Sequence, residues 1–291
     1  MPGLFHYYTH DIGKSEDFDN LQECLKSHED IRFNTINTAT NNILFLFSNN
    51  NYPTHNWQYK NYTIVIIGLV YNLTKSELVK ETNTIVDFVT NNGDYQSKIN
   101  QFVSDADGDF VIYLFSEKEK KGILFNDILG RLPIFYYSDG KRVAICSEQK
   151  GVINQLPNIQ FNENNIVNYL MSYHTYGNAT ILQNVYRLTA GKIIEFDHRL
   201  QISTRDTVVL DFKLSDKFKS KKEAVKHVAD LIKESVGNRV RTLEENNFNI
   251  IADLTGGFDS RAVFGALTLY TQKVNYFTFE YIQDESIIAN K

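Results

Sequence analysis

The chain has 291 residues, 42% of them hydrophobic and 13% aromatic, enough apolar material for about two domains of ordinary size, which excludes both a single small module and global disorder. With 30 Lys and Arg against 35 Asp and Glu the net charge is -5, so no overall positive field draws in a phosphate backbone, and nucleic acid is excluded as the main partner. The two cysteines, Cys24 and Cys146, cannot complete a zinc site or a disulfide framework and suit a reducing, cytoplasmic setting.

The start, Met1 to Tyr8, has neither a basic segment nor an apolar stretch, so it does not read as a signal peptide. From Ile43 to about Val209 the pattern is of short apolar or alternating runs between turn residues, which predicts strands. Ile43–Phe47 and Thr63–Tyr71 come first; the latter contains the longest apolar run, Ile64–Val70, which Gly68 interrupts and which is far too short to span a bilayer. Phe110–Phe115 and Lys121–Asp127 then flank a charged tip, and Ile134–Tyr137 and Val143–Cys146 flank Ser138-Asp139-Gly140, so that these four strands read as a meander. Helical spacing at Leu78, Ile85, Val86 and Val89, and again at Ile166, Val167, Leu170 and Met171, completes an α+β domain over residues 1–210. His6, His10, His28 and His55 do not stand at ligand spacing with other donors, and three N-x-T sequons, at Asn61, Asn72 and Asn178, are expected by chance in so Asn-rich a chain.

After Asp211 the pattern changes, and residues 211–291 read as the opening of a second, α/β domain. Lys213–Lys222 is either a solvated linker or a phosphate-binding stretch. A long amphipathic helix over Lys222–Glu245 leads to a buried-type strand, Ile250–Leu254, a Gly-containing turn, a helix from Ser260 to Tyr270 and a strand from Val274 to Phe279, which together form a βαβ unit. Asp284–Ala289 reads as the first turn of a further helix. An open parallel sheet needs several such units to bury its strands, so the chain is expected to end inside a domain and either to self-associate or to require a partner chain.

The segment with most chemical content is Thr255-Gly256-Gly257-Phe258-Asp259-Ser260, between the strand and the helix. Two glycines allow backbone N–H groups to approach an anion at a helix N-terminus, and Thr255 and Ser260 supply hydroxyl donors. Asp259 can hold a divalent cation bound to the same phosphates, so the expected ligand is Mg2+-bound polyphosphate. The bland alternative is a Gly-Gly turn in which Asp259 or Ser260 caps the helix.

This segment resembles the S-G-G-x-D-S signature of PP-loop ATP pyrophosphatases, with Thr255 in place of the first serine. Other segments resemble asparagine synthetase-like proteins in the same order: Gly68–Asn72 with Glu77-Leu78, Asp107–Val111, Asn126–Tyr137, Cys146–Lys150 and Thr180–Gly191. The resemblance implies a class II glutamine amidotransferase domain with an Ntn-hydrolase-like αββα sandwich, followed by a PP-loop synthetase domain that uses ATP and Mg2+. It assigns Thr255, Gly256, Gly257, Asp259 and Ser260 to the nucleotide and Asp259 to the metal.

The same resemblance fails at the glutaminase. The family's M-C-G-I start reads Met1-Pro2-Gly3-Leu4, and proline has neither a thiol nor a primary amine. The oxyanion-donating Asn falls on Ile67, and no counterpart of the substrate-orienting arginine occurs between Ser48 and Tyr59. The implied activity is an AMP-forming amide ligase that activates a carboxylate as an acyl adenylate without glutamine hydrolysis. Its substrate is a small molecule or peptide carrying both a carboxylate and an amine, with β-lactam synthetases and lasso-peptide cyclases as functional models. The alternative is a non-catalytic scaffold, a pseudoenzyme half that needs a partner chain.

Overall fold

A computed structural model describes residues 3–10, 18–26, 30–39, 41–49, 52–207 and 218–278. Pro2, His28, residues 213–217 of the basic stretch, Phe279 and the turn at Asp284–Ala289 lie outside the described residues. The chain divides into two compact units, Met1–Leu210 and Asp211–Lys291.

Unit 1 begins with β1 (Gly3–Thr9), α1 (Phe18–Leu25), β2 (Arg32–Ala39), β3 (Asn42–Ser48), β4 (Thr54–Tyr59) and β5 (Tyr62–Val70). The helices α2 (Lys75–Thr90) and α3 (Tyr95–Asp105) follow, then β6 (Gly108–Ser116), β7 (Lys121–Asn126), β8 (Phe135–Ser138) and β9 (Arg142–Cys146). Next come α4 (Gln149–Ile153), α5 (Glu163–Ser172), β10 (Tyr186–Arg187), β11 (Lys192–Phe196) and β12 (Ser203–Asp206). The strands form two six-stranded sheets, ordered β10-β8-β9-β1-β3-β2 and β12-β11-β7-β6-β5-β4.

Alternation along the strands builds three apolar layers. Leu4 and Tyr8 of β1, Val65 and Ile67 of β5, and Val111, Tyr113 and Phe115 of β6 meet between the sheets. Ile64, Ile66, Phe110, Ile112 and Leu114, from the opposite faces of β5 and β6, pack under Leu78, Ile85, Val86 and Val89 of α2 and Ile99, Phe102 and Val103 of α3. Phe5 and Tyr7, with Phe45 and Phe47, pack against Leu21 and Leu25 of α1 and Val152 of α4. The layer order is therefore helix, sheet, sheet, helix. Each fully buried Phe, Ile or Leu contributes roughly 1.5–3 kcal/mol.

The expected meander is corrected. β6 and β7 form a hairpin in one sheet, β8 and β9 a hairpin in the other, and residues 127–134 cross between them. Asp127, 1% exposed, fixes that crossing by accepting from the amides of Leu129 (2.9 Å) and Arg131 (3.2 Å). α5 forms where the spacing at Ile166–Met171 predicts a helix, but none of its residues is buried.

Unit 2 contains α6 (Lys221–Glu245), β13 (Ile250–Asp253), α7 (Phe258–Leu267) and β14 (Val274–Phe277). Ser220 caps α6 by accepting from the Glu223 amide. β13 and β14 pair in parallel, joined through α7. Val240, Ile250 and Leu267, with Ala252 and Val274 beside them, form the local core. The buried-type strand expected at Ile250–Leu254 is covered on one face only: alternation puts Ile251 opposite Ile250, and Ile251 is 64% exposed because α6 and α7 cover one face.

Candidate functional site

The segments that carry the family resemblance in unit 1 converge, and they converge to hold one another. Gly68 follows Ile67 at φ +97°, and a Cβ there would overlap the Asp109 carbonyl oxygen, so the backbone of β5 turns where only glycine fits. Tyr71 Oη donates to Asp109 at 2.7 Å, and Arg131 pairs with the same carboxylate while donating to Gly108 O at 3.2 Å. Asn72 binds both sides of the next connection, donating to Asp105 O (2.8 Å) and accepting from the Asp107 amide (2.9 Å). Asn126, fully buried, donates to Thr189 O and accepts from the Lys192 amide, both at 3.0 Å. At the start of β1 the Leu4 amide donates to Ser147 Oγ at 3.0 Å, and the Ser147 amide returns a bond to Leu4 O.

Ile67 is 1% exposed and packs in the core between the sheets. An aliphatic side chain there offers no hydrogen bond to a developing oxyanion. Cys146 is buried and free, and burial pushes its thiol up to about 12, so it is no nucleophile at neutral pH. His6 is also buried: its Nε2–H donates to Asn42 Oδ1 (3.1 Å), and its Nδ1 accepts from Tyr113 Oη (2.6 Å). Desolvation lowers its pKa to about 4, which keeps the imidazole neutral. The sequence carried no signal for this trio, nor for the Arg131–Asp109 pair, because both join residues far apart in the chain.

In unit 2 the structure brings Thr255 and Ser260 together, their hydroxyls 3.0 Å apart. The Thr255 amide donates to Ser260 Oγ at 3.1 Å and the Gly257 amide to Thr255 Oγ1 at 3.2 Å, which folds the loop onto the start of α7. The N-cap is Gly257, with no side-chain cap bond. Capping by Asp259 or Ser260 is therefore corrected: Ser260 Oγ staples the loop, and Asp259 stands exposed in the first turn. Gly257 has φ −70°, so a left-handed backbone is not what requires glycine there. Among the described residues no group of three or more His, Cys, Asp or Glu could hold a metal ion. No helix among them is long and apolar enough to cross a membrane.

Residues 43–205 match the glutamine amidotransferase domain, more than half of the chain, and the chain belongs to that family. It is 27% identical over 230 residues to a putative asparagine synthetase (glutamine-hydrolyzing) 2 of Methanocaldococcus jannaschii, an alignment that covers 74% of this chain and 42% of that protein. The domain is thus asparagine synthetase-like, and the alignment spans less than half the length of that relative. Among solved structures, the glutamine phosphoribosylpyrophosphate amidotransferase of B. subtilis, complexed with ADP and GMP, is similar at TM-score 0.41 and 10% identity, covering 97% of this chain and 67% of that one. A structure described as the allosteric regulatory enzyme of purine biosynthesis has the same coverage and TM-score at 11% identity. Neither likeness is close enough to carry an assignment.

Proposed function

We propose that the chain is part of an ATP-dependent, AMP-forming amide ligase of the asparagine synthetase-like kind, working without glutamine hydrolysis. The observation that carries this reading is the Thr255–Ser260 loop. Paired hydroxyls lie beside a helix N-terminus that no side chain caps, directly after a parallel strand, where amides and helix dipole favour a phosphate. An exposed carboxylate in the first turn of α7 fits Mg2+ held mainly by phosphate and water, with Asp259 as the protein ligand. The loop binds pyrophosphate, the substrate carboxylate attacks the α-phosphorus, and an amine of the same small molecule or peptide displaces AMP. β-Lactam synthetases and lasso-peptide cyclases are the functional models, since Pro2 and Ile67 replace the groups that would release ammonia.

The test is Mg-ATP titration of the full chain by calorimetry, with and without Asp259→Asn, and chromatography of the nucleotides after incubation. Binding that depends on magnesium in the parent and loses that dependence in the variant supports the reading. ADP as the product, or binding unchanged by the substitution, refutes it. A second reading, a scaffold half seated on a partner chain, is favoured by α5, where Leu170 is 71% and Met171 80% exposed. It predicts no Mg-ATP binding at all.

A further inference from the structure

Between α2 and α3, in the outer helix layer of unit 1, lies a groove of about 490 Å³. Apart from Asn72, the residues that line it lie outside the segments that carry the family resemblance. Its floor is apolar, with Ile85 3% and Phe102 6% exposed. Its rim carries both signs of charge: Lys80 and Glu81 on α2, Lys98 and Asp105 on α3. None of these four side chains forms an ion pair within 4 Å with another described residue. The Lys98 ammonium lies 5.1 Å from the centre of the Phe88 ring, beside the groove, a contact that leaves its charge without a counterion. Asn72 ties the end of α3 to the start of the next connection and so fixes one end of the groove.

A simple anion would leave Glu81 and Asp105 unmatched, and a simple cation would leave Lys80 and Lys98 unmatched. An uncharged apolar ligand would leave all four unused. The volume falls at the small end of ordinary ligand pockets, which run from roughly 300 to 1,000 Å³. We propose that this groove binds a zwitterionic α-amino acid with an apolar side chain. Its carboxylate meets Lys80 and Lys98, its ammonium meets Glu81 and Asp105, and its side chain rests on Ile85 and Phe102. The site is independent of the nucleotide loop in unit 2, so either assignment can fail without the other.

The test uses L-phenylalanine as the probe, titrated into the full chain and followed by ligand-observed NMR. Saturation on the order of 1 mM is expected for so small a ligand. Phenylalaninamide, which lacks the carboxylate, and N-acetylphenylalanine, which lacks the ammonium, should each bind at least about tenfold more weakly, since each loses charge-assisted hydrogen bonds. Lys98→Gln and Asp105→Asn, both at the groove's rim, should weaken L-phenylalanine by a similar factor, with circular dichroism confirming that each variant is folded. Absence of saturable binding overturns the proposal. So does binding that both derivatives retain, or binding that both folded variants leave unchanged.

Discussion

Replacing His6 by Gln should flatten the dependence of stability on pH in mildly acidic solution. The imidazole lies between the sheets, ringed by Tyr8, Tyr113, Phe115 and Phe196, and burial lowers its pKa from 6.5 to about 4. Below 6.5 the unfolded chain takes up a proton that the folded chain refuses. Stability from this group is therefore complete above the unfolded value and falls with pH until the folded value is reached. Each pH unit within that window is worth about 1.4 kcal/mol, so the drop between pH 6.5 and 5 is about 2 kcal/mol. Glutamine keeps an uncharged donor and acceptor and removes the proton site. Urea unfolding at pH 7 and pH 5 measures both proteins. The variant will start from a lower stability, but it should lose about 2 kcal/mol less than the parent across the interval. His55, whose pKa burial also lowers, contributes with the same sign to both proteins and cancels in the difference. Equal losses in parent and variant would refute the assignment of the slope to His6.

Further outcomes follow from other positions. Purified protein should form no glutamate from glutamine above a buffer control, and Pro2→Cys should not change that, because Ile67 still offers no oxyanion donor. Adding Ile67→Asn should cost about 3 kcal/mol or more by urea unfolding, since it exchanges a buried aliphatic contact for an unpaired amide. Asn126→Ala should cost about 2–4 kcal/mol by the same measurement, because it leaves Thr189 O and the Lys192 amide without their partner. Gly257→Val should lower the melting temperature modestly: φ −70° suits valine, but valine is a poor N-cap residue and a Cβ there would stand 3.2 Å from Thr255 Oγ1, which must shift to make room. It should also weaken Mg-ATP in calorimetry if phosphate approaches that backbone.

Local pattern made much of unit 1 legible. Strands rich in β-branched and aromatic residues, β5 and β6 above all, stand where their apolar runs put them, and α2 buries the Leu78, Ile85, Val86 and Val89 stripe that its spacing predicts. β1 is not legible in the sequence, because His6, Tyr7 and Tyr8 look polar there, although Tyr113 and Asn42 let His6 be wholly buried. β2 alternates poorly and has a register irregularity between Thr35 and Asn37, and α3 has the short apolar set Ile99, Phe102 and Val103. Hairpin signals are local and do not say which sheet each hairpin joins, whereas the crossing at residues 127–134 is held by bonds from the Leu129 and Arg131 amides to Asp127. At the loop in unit 2, residue types and spacing indicated which hydroxyls could meet. They could not indicate that Ser260 would bond back to Thr255 and leave the cap to Gly257.

The place of β1 has a consequence for synthesis. It pairs with β3, complete by Ser48, and with β9, which begins only at Arg142. Roughly 100 residues must be translated between the two, on the order of 5–20 s at ordinary elongation rates. During that interval one flank of Phe5–Thr9 presents unpaired backbone groups on an apolar strand, an open edge of the kind that recruits other chains. The nascent protein thus carries an open strand edge until β9 leaves the ribosome. Slower elongation through residues 49–141 should lower its soluble yield more than slowing anywhere after Cys146.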